Sequence, residues 1–308
     1  MSAIAQDGRK PPTAPIESIT VTGIKDVEAA VKKFVETMTV PTRTAGKLAR
    51  WKDGVCPVAI GLRPEVAKIL SRRVKDVAVE VGAPVNGKDT CPPNIEIVFT
   101  TAPQVLLDDI RVMRPVLLGY HDNSAQVEKL ATVTRPLQSW YTTATVDLHG
   151  HAQTDGARAA GVSVTLALPP GGIGGPALSA PDMIVMNMPD AIGANVTGGR
   201  LGDGLSSALS NIVIVADPSK LLNREIDALA DYIAMLALSQ VLSPDGCQEL
   251  PSILNLLVPD CSRTAKALTS GDLAYLRALY KITPTANFRG QRDEMMYQME
   301  HALKPEKP

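Results

Sequence analysis

Residues 230 to 240 read Ala-Asp-Tyr-Ile-Ala-Met-Leu-Ala-Leu-Ser-Gln. They belong to a longer run, roughly Lys220 to Val241, in which Leu222, Ile226, Leu229, Ile233 and Leu236 recur at spacings of four and three. That periodicity predicts a helix, ended by Pro244-Asp245-Gly246. The helix is apolar nearly all round, so it is expected inside the protein. At about 100° per residue, Ile226, Ala230, Ala234 and Ala237 share one stripe, with Asp231 off its edge. Small side chains on such a stripe let a neighbouring element approach closely.

The totals bound what surrounds this helix. A chain of 308 residues buries a substantial core as one large or two medium domains. Thirty-one Lys and Arg face thirty-two Asp and Glu, with no basic block and only three Phe, six Tyr and two Trp. Phosphate neutralisation and base stacking both lack their residues, so nucleic acid is not an expected partner. No run of eighteen apolar residues occurs, so no membrane-spanning helix is expected. There is no internal repeat, and no cofactor is expected.

Four cysteines form two local pairs, Cys56 with Cys91 and Cys247 with Cys261. Metal spacing of the C-x-x-C type is absent; disulfides are the expectation and free buried thiols the alternative. Disulfides imply an oxidising compartment, periplasmic or secreted. Ala3-Ile4-Ala5 before Gln6 resembles the tail of a signal-peptide cleavage site, though no charged start or apolar stretch precedes it.

Along the chain, residues 1–16 carry Gly8, Pro11, Pro12 and Pro15 without periodicity and are expected as a flexible leader. A single domain is expected over 17–290. It opens with a strand-helix extension over 17–45: Ile19 and Val21 alternate, then Val27, Ala30, Val31, Phe34 and Val35 recur at helical spacing up to Pro41. Val55 to Leu62 is expected as a buried strand. Pro64 opens a helix that Gly82 ends, Ile95 to Phe99 alternates as the next strand, and Val105 to Leu118 is helical with a break at Pro115. Strand-like runs follow at 142–149, 162–168, 184–188 and 212–215, with an irregular Pro- and Gly-rich loop over 169–176. A helix is expected near Asp272 to Tyr280. A final helix near 293–303 lies in a separate C-terminal tail, 291–308, where Met295, Met296 and Met299 either fold back on the domain or dock a partner.

Three further segments complete the reading of residues 230–280. The helix places Ala230, Asp231, Ala234, Ala237 and Gln240 where H-E-x-x-H-x-x-G-x-x-H would place its two turn-spaced His, its Glu, its Gly and its third His. Ser252-Ile253-Leu254-Asn255 is similar to a Met-turn, with Leu254 at the Met position. Leu268-Thr269-Ser270-Gly271-Asp272-Leu273-Ala274-Tyr275-Leu276-Arg277-Ala278-Leu279-Tyr280 is similar to the closing helix of matrixins. In this order the chain resembles zincin-like metalloproteases of the metzincin branch, and among them exported bacterial proteins with a degraded metal motif. Upstream, residues 56–62, 64–81 and 95–100 resemble the strand, backing helix and next strand of a zincin upper lobe, and 212–217 the strand before the active helix. The resemblance implies a mixed sheet with a backing helix and a buried former active-site helix. It does not carry catalysis over, because no ligand position holds an imidazole.

Other constellations are thinner. His149 and His151 share a face, able to hold a metal together, if both lie in a strand; Gly150 between them points instead to an exposed turn, and no metal is expected. Gly82 to Asp89 has the Gly and Lys spacing of a phosphate-binding loop, but Asp89 stands where Ser or Thr would hold Mg²⁺ and a helix precedes it. Gly204-Leu205-Ser206-Ser207-Ala208 imitates a nucleophile elbow without its final Gly, and the strand follows where it should precede. Asn195-Val196-Thr197 is a glycosylation triplet.

The expectation is therefore an α/β protein of zincin-like architecture, catalytically inactive, exported, and binding a protein or peptide partner in or near the former cleft. The alternative is a hydrolase with a relocated site built on His149, His151 or Asp231.

Overall fold

The computed structural model describes residues 26–88, 90–155, 163–167, 183–187, 203–241 and 244–304. The leader, the strand at Ile19 to Val21, the Gly- and Pro-rich loop at 169–176, Asp89 and the Asn195 triplet lie outside them.

Pro41 stops the first helix as expected: α1 runs Val27–Met38 and is opened by Asp26, whose carboxylate accepts the Ala29 N–H at 3.0 Å. A short strand, β1 (Ala49–Trp51), follows, then β2 (Pro57–Ile60), α2 (Pro64–Val81) and β3 (Ile95–Phe99). Pro103 opens α3 (Pro103–Met113), and Pro115, which cannot extend it, starts a 3₁₀ turn over Pro115–Leu118. Asn123 caps α4 (Ser124–Leu130). β4 (Leu137–Val146) and β5 (Ala152–Thr154) form a hairpin. β6 (Ser163–Ala167) and β7 (Met183–Asn187) form a separate antiparallel pair. β8 (Ser206–Ala216), α5 (Ile226–Leu238), α6 (Ser270–Lys281) and α7 (Phe288–Leu303) complete the described chain.

One mixed sheet organises the rest, with β8 at its centre. Along one side β8 pairs antiparallel with β4 over the whole strand, from Leu137↔Ala216 to Val146↔Ser206. Along the other it pairs parallel with β1 in its first half and with β3 in its second, and β2 adds parallel to β3. Strand alternation sends Ile95, Ile97, Phe99, Ile212 and Ile214 to one face, where they share a core with α1, α2, α5, α6 and α7. Val98, Val213, Val215 and Trp140 point to the other face and pack against α3, α4 and the 3₁₀ turn. Helices thus cover both faces, as the parallel strands of this sheet require.

Both expected disulfides form, Cys56–Cys91 and Cys247–Cys261. Among the described residues no helix is long and apolar enough to cross a membrane.

Several boundaries moved. The strand expected from Thr142 begins five residues earlier, because Pro136 and the turn at residues 147–150 bracket a ten-residue ladder with β8. The long helix begins at Ile226, not Lys220: Asp217 draws Pro218–Lys220 into a 3₁₀ turn by accepting from the Ser219 N–H and hydroxyl. α4 and β1 were not anticipated. The final helix starts at Phe288, earlier than expected, and buries Gln291, Met295 and Met299 completely.

Candidate binding site

The helix that opened the sequence reading is buried from Ala228 to Leu238. Ala230, Ala234 and Ala237 are at most 1% exposed and sit in the main core beside α2. Their methyl groups fill the interior between two helices. Asp231 is held on both oxygens: one pairs with the Arg73 guanidinium of α2, and the other accepts the Leu268 N–H at 2.8 Å. It is a tie between α2, α5 and the segment leading into α6. The carbonyls at the end of α5 are also taken, with Ser239 Oγ on Met235, Trp51 Nε1 on Ala237 and Tyr280 Oη on Leu238, all at 2.7–2.8 Å.

Ser252, Ile253, Leu254 and Asn255 form the start of a 3₁₀ turn, Ile253–Leu257, packed against α5. Ser252 caps it and donates to Asp272 at 2.5 Å, while Asp272 also accepts from the Ile253 and Thr269 N–H groups. One buried carboxylate therefore fastens this turn to the capping box of α6. Burial pushes the Asp272 carboxyl up, and its donors pull it back without cancelling the rise. Asn255 bonds the Gln248 N–H and the carbonyls of Gln248 and Arg263, closing the region bracketed by Cys247–Cys261.

The exposed chemistry lies at the edge of the sheet. β5 covers β4 only from Ala144 to Val146, and among the described residues no strand pairs with the outer side of 137–143. The Pro136 carbonyl faces β8, accepting from Asp217 at 2.8 Å, whereas the Thr143 carbonyl faces outward, accepting from Asp155 at 2.8 Å. The alternation of an antiparallel ladder then turns the backbone N–H and C=O of Leu137, Ser139 and Tyr141 away from β8, with Gly119 standing against the Tyr141 carbonyl. A cavity of about 680 Å³ runs along this edge, lined by Ser139, Trp140, Tyr141, Gly119, Gln240 and Val241 among others. Arg43 with Asp122, 3.9 Å apart, also lines it, as do Arg135 and its partner Asp245.

Local features shape this groove. Gly119 approaches the Tyr141 carbonyl so closely that a Cβ there would meet that oxygen at 2.8 Å, and its φ of +94° also favours glycine. Tyr141 lies under the edge, its hydroxyl accepting from Ser139 Oγ at 2.9 Å and reaching the Val241 carbonyl at 3.4 Å. Burial pushes its pKa well above the ordinary tyrosine value. Gln240, two residues past α5, presents a buried Oε1 with no hydrogen-bond partner among the described residues. An N–H from a bound group could satisfy it.

His149 and His151 lie in the hairpin turn between β4 and β5, the arrangement that Gly150 suggested, with ring centroids 6.1 Å apart. Ser206 begins β8, is 3% exposed and accepts from Lys52 Nζ at 2.6 Å, so the elbow imitation is a strand start. Gly82 ends α2 and no helix begins in 83–88, which removes the phosphate-loop context. No group of three or more His, Cys, Asp or Glu converges as a metal site among the described residues.

Sequence reasoning placed Gln240 near the cleft only as a lost ligand, and it missed Ser139, Tyr141, Gly119, Arg43 and Arg135. The β-favouring aromatic pair Trp140-Tyr141 before Thr142 was the available signal for the strand. Its unpaired edge had none.

The fold and site define an α/β protein with a mixed sheet, a buried central helix and an open edge strand. Comparison with models of known families, with curated proteins and with solved structures finds no match to this chain.

Proposed function

We propose that this protein is an exported, catalytically inactive relative of zincin-like metalloproteases that binds an extended segment of a partner protein by adding it to the edge of β4. The observation that carries the reading is the stretch of β4, unpaired among the described residues, beside a groove that Gln240 also lines, at the position of the third ligand in the resembled motif. An extended peptide needs only backbone donors and acceptors from the edge, and strand addition needs no metal. The alanines at 230, 234 and 237 and the engaged carboxylate of Asp231 support the inactive half of the reading. The two disulfides support export to an oxidising compartment.

Screening an immobilised heptapeptide library with the purified, disulfide-intact chain tests this. Ser139→Pro removes an edge N–H without touching the ladder to β8, a place where proline is tolerated in sheets. Selected peptides should bind the wild type and lose at least about tenfold in affinity with Ser139→Pro, the loss of roughly one net hydrogen bond together with the steric block of the ring. Equal binding by both proteins overturns the edge assignment. A peptidase and esterase screen addresses the alternative: hydrolysis abolished by His149→Ala, His151→Ala or Asp231→Asn overturns the inactive half.

A further inference from the structure

The hairpin turn at residues 147–151 is built more tightly than a surface loop requires. Asp147 N–H donates to the His151 carbonyl at 3.0 Å, and Gly150 N–H donates to the Asp147 carbonyl at 3.1 Å. Gly150 has φ +85°, the left-handed residue such a three-residue hairpin loop needs. The Asp147 carboxylate then holds the turn from within. Its Oδ1 accepts the His149 and His151 N–H groups at 2.8 and 2.9 Å, and its Oδ2 lies 3.2 Å from His151 Nδ1. Its side chain is 1% exposed, whereas the His151 side chain is 51% exposed and His149 is exposed as well.

That geometry fixes which nitrogen of His151 is free. A buried carboxylate oxygen accepts a proton-bearing Nδ1, which leaves Nε2 with its lone pair directed away from Asp147. A carboxylate behind an imidazole is the arrangement that orients histidine ligands. The His149 ring stands 6.1 Å from the His151 ring, centroid to centroid, at a tilt of 42°. Two imidazoles sharing an ion at about 2.0–2.1 Å have centroids roughly 5–6 Å apart, close to the separation of this pair.

We infer that His149 and His151 form a two-imidazole site for a divalent transition cation of the zinc, nickel or copper class, with Asp147 positioning His151. Imidazole donors select these ions over calcium or magnesium, and the Asp147 oxygens that a hard cation would want are already engaged. The pair supplies two ligands, since no third His, Cys, Asp or Glu converges on it among the described residues. Water or a donor from a bound partner takes the remaining positions. The site is independent of the edge groove.

Calorimetric titration of the disulfide-intact chain with zinc and with nickel tests the site, with proton NMR of the four His rings as a second readout. The wild type should take up one equivalent and shift the His149 and His151 resonances. His149→Ala and His151→Ala should each weaken binding by more than about tenfold. Asp147→Asn, which keeps an acceptor for the backbone N–H groups, should weaken it about tenfold, the usual loss when an orienting partner is removed. His121→Ala and His301→Ala should change nothing. No saturable uptake by the wild type, or uptake that survives loss of both imidazoles, overturns the site. Unchanged affinity in Asp147→Asn overturns the role of Asp147.

Discussion

Glu96 sits in the middle of β3 with no exposed surface, and its side chain is bonded by Asn211 of β8, whose amide donates to both carboxylate oxygens at 3.0 and 3.2 Å. Burial outweighs those bonds and pushes its pKa from 4.5 up to about 8. The folded protein therefore holds this proton between roughly pH 4.5 and 8, while the unfolded chain has released it. Stability is highest below that window, falls as pH rises through it and levels off above about 8. At 1.36 kcal/mol per unit, the ceiling on this contribution is roughly 5 kcal/mol. Glu96→Gln imitates the neutral carboxyl, so its urea midpoint should change far less than that of the wild type between pH 5 and 8.5. An equal change in both proteins would contradict the assignment. Nothing in the local pattern singles out this acid, because Ile95-Glu96-Ile97 alternates as an ordinary half-exposed strand would. Only the helices on the second face close over it.

At the scale of elements, α5 was readable in advance as a buried helix, since nothing in its eleven central residues is polar enough to demand water except Asp231, which found Arg73. Its packing sets a prediction. Ala234 is wholly buried in the core that α5 shares with α2, so Ala234→Leu has no room and should cost about 1–3 kcal/mol by overpacking. Urea denaturation measures it; a neutral result would mean that a cavity remains where the resembled motif would seat an imidazole. The ends of elements were legible where a side chain signals them, as at Pro41, Pro64, Gly82 and Pro115. They were misplaced where a carboxylate tightened the backbone, as Asp217 does before α5. The strand β4 was read short for a similar reason: its first half looks polar, and its length comes from pairing with β8.

At the scale of the described molecule, helices cover both faces of the mixed sheet, and among the described residues no strand pairs with the outer side of β4 over 137–143. The two disulfides lie in different parts of the chain: Cys56–Cys91 ties the entry to β2 to the loop before β3, and Cys247–Cys261 closes the segment between α5 and α6. From the chain lengths they close, the entropy model assigns about 4 kcal/mol to the first and about 3 to the second. Replacing Cys56 and Cys91 by Ser should accordingly lower the urea midpoint more than replacing Cys247 and Cys261. The reverse order would mean that the second bridge acts through the native contacts of Asn255 and the capped turn instead of the unfolded chain. The amino-acid sequence alone determined the fold class, the buried helix, the cysteine pairs and the absence of imidazoles on α5, because each follows from local periodicity or from residue identity. The open edge of β4, the Gln240 acceptor, the buried Glu96 and the His151 bond to Asp147 were decided only by tertiary structure. The first three depend on strands and helices brought together from distant parts of the sequence, and the last on the hairpin turn that the pairing of β4 with β5 closes.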